Sequence, residues 1–408
     1  MTDGEYERSM TRKKLLVLSS TYPRWSDDSE PSFVHELSKR LAATMDVTVL
    51  CPSARGARRV EKMDNVKVVR YRYAPNAWET LVHNGGIVGN IRSKPWKAAL
   101  LPSFLFSQLV TALWVCLRSR PDVIHAHWLI PQGVMAALIS ICFRWKVPFV
   151  VTSHGTDLWS FKGRVLKFIK GWVARRASVV AVVSNAIKKE LANQVGEVEN
   201  VVVAPMGVDL ENRFRPTTNK TGSRRQIISV GRLIEAKGME YLIRALPELV
   251  QRFPDSNVLI VGDGPDKARL QGIARELGVA NFCEFKGKFS HNALPDLYRS
   301  SAVFVAPFLQ EGLGLVCIEA LGCGCPVVAS DIPAIADIVE CSDNIHLVPV
   351  QNSGAIFEAI NTVFTDLDAE LNVVKRSHSS LLARFGWKSV TDNYIGLLER
   401  SSSLPEEK

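Results

Sequence analysis

Glu311 and Glu319 bracket a glycine-bearing turn in EGLGLVCIEALGCGCPVVAS, and this stretch carries the clearest chemistry in the chain. Gly312 and Gly314 permit tight backbone paths, and Leu315 is expected to open a helix whose first N–H groups lack intrahelical partners. Such a helix start attracts phosphate or another anion. Glu319 falls one turn into that helix, where its carboxylate can accept hydrogen bonds from sugar hydroxyls beside the anion. Types and spacing therefore suit a sugar joined to a diphosphate. A capped helix carrying a solvated glutamate would use the same residues.

Two cations add to this pattern. In SVGRLIEAKGMEYLIRAL, Arg232 follows a strand and Lys237 lies just before a helix. Placed there, they can neutralise a diphosphate and stabilise it as it departs. The glycines of VGDGP, Gly262 and Gly264, either admit a ligand or turn the chain. A hydride-transfer fingerprint would need a third glycine, and Lys267 occupies that place. That reading is set aside.

Three histidines fall at or after strand ends, His125 and His127 in PDVIHAHWLIPQG and His154 in VVTSHGTDLW. His154, with Asp157 in the same loop, is placed to orient an acceptor hydroxyl or to stabilise charge at a reacting centre. His125 is expected to face inward. A zinc site would need three or four convergent ligands, more than this motif offers, so no metal is expected. Asp366 and Asp368 fall in a polar run and read as solvated.

The elements that must position these residues come in two series. The first alternates strands at Lys14–Ser20, Val47–Cys51, Val66–Tyr71, Val123–Ala126, Phe149–Thr152, Val179–Val183 and Val201–Ala204 with amphipathic helices. Near-continuous Val/Ile/Leu strands separated by helices predict a parallel sheet covered on both faces. Ser184 is the expected N-cap of the helix that follows it. A polar, proline-bearing stretch then breaks the rhythm, and a second α/β series begins at Ile227. The expected division is a domain over 1–205, a linker over 206–222 and a second domain over 223–385. A final helix over 386–400 is expected to pack back on the first. Two doubly wound, Rossmann-like domains place ligands in the cleft between facing strand ends.

The totals agree with a globular enzyme: 408 residues, 47% hydrophobic, 22% charged. Eight scattered cysteines without a CxxC pair, and a start whose apolar run is only LLVL, predict reduced thiols and a cytoplasmic location. The net charge of +9 is uneven. From Leu158 to Lys189 there are eight basic residues and no acidic one, interleaved with Phe161, Val165, Phe168, Ile169 and Trp172. This basic amphipathic helix suits an anionic membrane surface, at roughly 1 kcal/mol per cation; a solvated cationic face would read the same way. No nucleic-acid module accompanies the charge. The uncharged stretch Ala98 to Leu117 is long enough to span a bilayer. Pro102, Gln108 and the strand that follows favour a core or partly interfacial helix.

Taken together, VGRL…KG at Val230–Gly238, VGDGP at Val261, the Glu311–Glu319 pair, CPVVASDIP at Cys325, GVD…F.P at Gly207–Pro216 and HG.D at His154 resemble the glycosyltransferase group 1 family. These are retaining, nucleotide-sugar-dependent enzymes of the GT-B fold. The resemblance implies that Arg232, Lys237, Gly314 and Leu315 bind the donor diphosphate and that Glu319 holds the ribose. Glu311, Gly312, Leu313 and Gly314 would hold the transferred sugar. His154 and Glu311 would stand at the reacting centre, with His127, Asp157, Tyr22 and Arg24 as acceptor candidates. It implies no cofactor or metal beyond the donor itself, and an attack on the same face from which the phosphate leaves. Two positions depart from the family pattern: TYPRWSDDSEPSF replaces a glycine pair after the first strand, and Met206 replaces the usual asparagine before Gly-Val-Asp. The expected acceptor is a glycan or lipid-linked intermediate at the inner membrane face. A soluble acceptor, or a non-catalytic nucleotide-sugar-binding subunit, are the alternatives.

Overall fold

The computed structural model describes residues 12–25, 28, 32–83, 86–143, 147–217 and 225–403. Its first eight strands are β1 (Lys14–Leu18), β2 (Asp46–Pro52), β3 (Val60–Met63), β4 (Val66–Tyr71), β5 (Val123–His127), β6 (Phe149–Ser153), β7 (Val179–Val182) and β8 (Val201–Val203). They form one sheet in the order β3-β4-β2-β1-β5-β6-β7-β8. Every pairing is parallel except β3 with β4. Apolar side chains fill both faces, as parallel sheets require.

A second sheet holds β9 (Gln226–Val230), β10 (Asn257–Val261), β11 (Cys283–Gly287), β12 (Val303–Ala306), β13 (Val327–Ser330) and β14 (Ile345–Val348), ordered β11-β10-β9-β12-β13-β14. It is parallel throughout. Each sheet reverses its winding once, between β1 and β5 in the first and between β9 and β12 in the second. Ligand crevices open beyond the carboxyl ends of strands at such reversals. His127 ends β5, and the segments that follow the other three strands carry Tyr22 and Arg24, Arg232 and Lys237, and Glu311.

Strands β3 and β14 escaped the sequence reading. Both are short edge strands, partly exposed, with the mixed sequences VEKM and IHLV. Edge positions bury one face at most and leave little apolar signal. The long helix opens with a 3-10 turn at Pro95–Leu100 and runs over Leu101–Ser119. It is long and apolar enough to cross a membrane by length and composition. Here it lies along β2 and β4 with Phe104, Gln108, Ala112, Val115 and Cys116 buried.

The chain crosses between the sheets twice, and the two crossings touch. Val208 N donates to Phe385 O at 2.8 Å, and Trp387 packs so closely on Gly207 that a Cβ there would sit 2.5 Å from its ring. The terminal helix Trp387–Ser403 then lies against the helix Phe33–Leu41 and strands β5 and β6. Tyr394 is buried beneath it, its hydroxyl donating to Ala204 O at 3.1 Å.

Candidate active site

Glu311 ends the segment after β12, and its carboxylate is held from two sides. Oε2 pairs with Lys237 Nζ, while Oε1 accepts from the backbone N–H of Gly312 at 2.8 Å. Burial alone would raise its pKa. Lys237 and the N–H groups of Gly312 and Leu313 more than offset this, so the carboxyl titrates below its ordinary range. Lys237 lies at the end of the 3-10 turn Glu235–Lys237, its ammonium 4.1 Å from the Phe308 ring centroid. The two sequence-predicted groups therefore meet directly. Gly314, in the left-handed region at φ 83°, caps the helix Leu315–Gly322.

Arg232 is exposed and reaches toward the first domain: a Cβ on Gly89, in the helix Gly86–Ser93, would lie 3.5 Å from its Nη2. The VGDGP glycines turn the chain against this loop. A Cβ on Gly262 would fall 1.8 Å from Gly231 O, and Leu233 N donates to Asp263 O at 3.0 Å. They support the Arg232 loop by close backbone packing.

Glu319 is nearly buried, with two partners that sequence reasoning missed. His291 Nε2 stands 2.9 Å from Oε1, and Tyr298 donates to Oε2 at 3.1 Å. Arg213 Nη1 lies 2.9 Å from His291 Nδ1. Arginine only donates, so Nδ1 accepts and the His291 proton resides on Nε2, facing Glu319. No residue type or spacing in FSHNALPDLY announces this contact. It follows from folding the segment after β11 over the helix that carries Glu319.

Across the cleft, β5 and β6 deliver the histidines. His127 Nδ1 and His154 Nε2 are 3.0 Å apart with their rings stacked. Burial holds His154 down to about 3, with His125 adding to the effect; burial likewise holds His125 at about 3 and His127 well below its ordinary value. All three are neutral at physiological pH. Trp128, directly after β5, has φ 76°, a strained value for a bulky residue, and its ring packs 5.0 Å from that of His154.

Three of the four acceptor candidates are corrected by burial. Tyr22 is sealed with its hydroxyl 2.7 Å from His35 Nδ1, and His127 is fully buried against His154. Asp157 is buried as well, accepting from Leu129 N at 2.8 Å and Ser153 Oγ at 2.9 Å. These groups build the site without facing an acceptor. Arg24 alone lines the interdomain cleft, together with Arg213, His291 and Asn292 from the other side.

The basic helix Arg164–Arg176 also differs from expectation. Lys170 is buried, donating to Leu158 O, Phe161 O and Gln194 Oε1 at 3.1, 2.7 and 2.7 Å. Ile169 and Trp172 are partly buried, whereas Val165 and Phe168 are exposed beside Lys162, Arg164 and Lys167. This helix, the helix Val134–Cys142 and the helix Leu101–Ser119 lie side by side. Their outer face also exposes Phe106, Val110, Trp114, Leu117 and Ile141.

Known proteins resemble this chain in sequence and fold. Residues 211–378 match the family described as Glycosyl transferases group 1, and residues 32–212 match Glycosyltransferase Family 4. The phosphatidyl-myo-inositol mannosyltransferase of Mycolicibacterium smegmatis is 30% identical over 69% of this chain and 72% of its own length. A glycogen synthase of Mycobacterium tuberculosis is 26% identical over 92% of each chain. Among solved structures, sucrose-phosphate synthase from Thermosynechococcus elongatus superposes with a TM-score of 0.78 at 21% identity, covering 95% of this chain and 99% of that one. Anabaena Alr3699/HepE in complex with UDP and glucose gives 0.73 at 19% identity, covering 96% and 100%. At these identities the structural likeness speaks for the fold.

Proposed function

Since the chain belongs to the glycosyltransferase group 1 family and has the GT-B fold, we propose that it moves a sugar from a nucleoside diphosphate to a membrane-held acceptor, with retention of configuration. The observation that carries this reading is the Lys237–Glu311 pair beside the helix start at Leu315, with Glu319 one turn further on. Arg232, Lys237 and the N–H groups at Gly314 and Leu315 bind the diphosphate. Glu319, pinned by His291 and Tyr298, accepts from the ribose hydroxyls. Glu311 and the Gly312–Gly314 backbone hold the transferred sugar. Two side-chain cations and a helix start supply the positive charge, so no metal enters this reading.

In the transfer, the acceptor oxygen bonds to the anomeric carbon as the bond to the phosphate oxygen breaks on the same face. The acceptor proton passes to that departing oxygen. His154 borders the reaction as a neutral imidazole.

Charge supports the membrane half of the proposal. Between Thr80 and Lys189 the chain has fifteen lysines and arginines but only two acids, Asp122 and Asp157. The exposed apolar side chains of the three adjacent helices lie within that span. An apolar, cationic helical face suits the surface of an anionic bilayer. The 30% identical relative carries a phosphatidyl-inositol acceptor in its name.

Thermal unfolding against a panel of UDP-, GDP- and ADP-sugars tests the donor, because a true ligand raises Tm by mass action. Glu319→Ala and Arg232→Ala are expected to lose that shift and the turnover while remaining folded. Wild-type turnover in either variant would refute the assigned roles. Flotation with anionic vesicles tests the membrane half, and a protein indifferent to them would favour a soluble acceptor.

A further inference from the structure

His154 has one nitrogen committed to the protein interior and one open. Its Nε2 faces His127 Nδ1 at 3.0 Å, and His154 is only partly buried where His127 is sealed. Both rings are neutral, so the contact contains a single proton. The question is which ring donates it.

The far side of His127 decides. His127 Nε2 is sealed in the interior with no hydrogen-bond partner, and so is His125 Nδ1 beside it. If His154 donated, His127 would have to carry its own proton on Nε2, a buried N–H with no acceptor. Orphaned donors of that kind are rarer in folded proteins than unused acceptors. His125 shows the same economy. Its Nε2 faces Thr152 Oγ1 at 2.8 Å, and Thr152 in turn approaches the Tyr394 hydroxyl at 3.4 Å, while Tyr394 donates to Ala204 O. In that chain each hydroxyl hands its proton onward, so His125 donates through Nε2 and its sealed Nδ1 is bare.

We infer that His127 is a positioning residue which donates Nδ1–H to His154 and thereby fixes His154 as the Nδ1–H tautomer, a hydrogen-bond donor toward the cleft. This rests on the proposed function only for its consequence. A base needs a bare nitrogen facing the acceptor, and the open face of His154 carries a proton instead. His154 therefore donates to an oxygen at the reacting centre, on the transferred sugar or the leaving phosphate. The acceptor proton then has the departing phosphate oxygen as its destination. The surrounding packing resists rotation of the ring: Phe33 and Trp128 lie 4.9 and 5.0 Å from it, and Trp128 takes its strained φ at this point.

Long-range proton–nitrogen NMR on the full chain with nitrogen-15 histidine tests the inference without substrate. The His154 signals are assigned by their loss in His154→Asn. The expected wild-type pattern is a protonated Nδ1 and a bare Nε2. In His127→Phe, which keeps an aromatic ring but no donor, the signature is expected to give way to a mixture, with nucleotide-sugar hydrolysis reduced about tenfold or more. His127→Asn, whose amide sits near the former Nδ1, is expected to restore much of both. A wild-type His154 protonated on Nε2, or a signature unmoved in folded His127→Phe, overturns the inference. A failure of the donor reading would show instead as absent nucleotide-sugar binding, with the wild-type spectrum still legible.

Discussion

Ser184 Oγ donates to Gly312 O at 2.6 Å, a bond between the cap of a first-domain helix and the turn that carries Glu311 in the second domain. The same hydroxyl accepts from Ile187 N at 3.3 Å and so caps the helix Asn185–Val195. Next to it, Asp337 accepts from Asn185 N at 2.7 Å and from Arg384 Nη2 at 3.1 Å. The turn expected to hold the sugar is thus held by the opposite domain. Ser184→Ala removes the cap and strands a buried carbonyl, at a cost of about 1–2 kcal/mol. Chemical denaturation should read that loss, and Ser184→Thr should recover part of it.

Gly312 tests the same contact by size. A Cβ there would meet His154 O at 2.6 Å, a backbone atom with no room to yield. Gly312→Ala is expected to hold the domains apart, lowering kcat about tenfold or more while nucleotide binding to the second domain persists. Turnover measured beside small-angle scattering would check both parts. Unchanged scattering with normal kcat would count against a closed reacting state.

Lys237→Met should leave Glu311 buried without its countercharge. Lys237 holds the Glu311 pKa down against burial, so its removal moves that pKa upward. The acidic limb of the rate profile should shift to higher pH, and kcat/KM should fall about a hundredfold.

His291→Ala is expected to raise the donor KM several-fold with kcat nearly unchanged. Its imidazole holds Glu319 Oε1 in place, and loosening that carboxylate weakens ribose contacts made equally in ground and transition states. A drop in kcat at constant KM would assign His291 a part in the chemistry.

The buried histidines make stability depend on pH. Their folded-state pKa values lie below the unfolded value near 6.5, so the unfolded chain binds protons first as pH falls. The stability they contribute is present above that pH and is lost on acidification, toward about 3 for His125 and His154. Each contributes a slope of about 1.4 kcal/mol per pH unit below 6.5. Urea midpoints at pH 7.5 and 5.5 should differ accordingly, and a flat profile would show that the imidazoles are not buried neutral.

The two α/β series, the helix opened at Leu315 and the cap at Ser184 were legible in the sequence because each rests on local rules. Strand composition, a glycine before a helix and a serine at its start act over a few residues. The Arg232, Lys237, Glu311 and Glu319 set was legible for the same reason, since each member follows a strand end or rides one helical turn. Accessibility was not. Tyr22, His127 and Asp157 sit at strand ends like Arg24 and His154, yet the layers packed over them seal the first three. Lys170 reads as one cation among eight until Leu158, Phe161 and Gln194, brought together by the fold, surround its ammonium. The Ser184–Gly312 and His291–Glu319 bonds join positions 128 and 28 residues apart. Such contacts depend on where sheets, crossings and layers place two surfaces, which is a property of long-range packing, whereas residue spacing records only what neighbours along the chain do to one another.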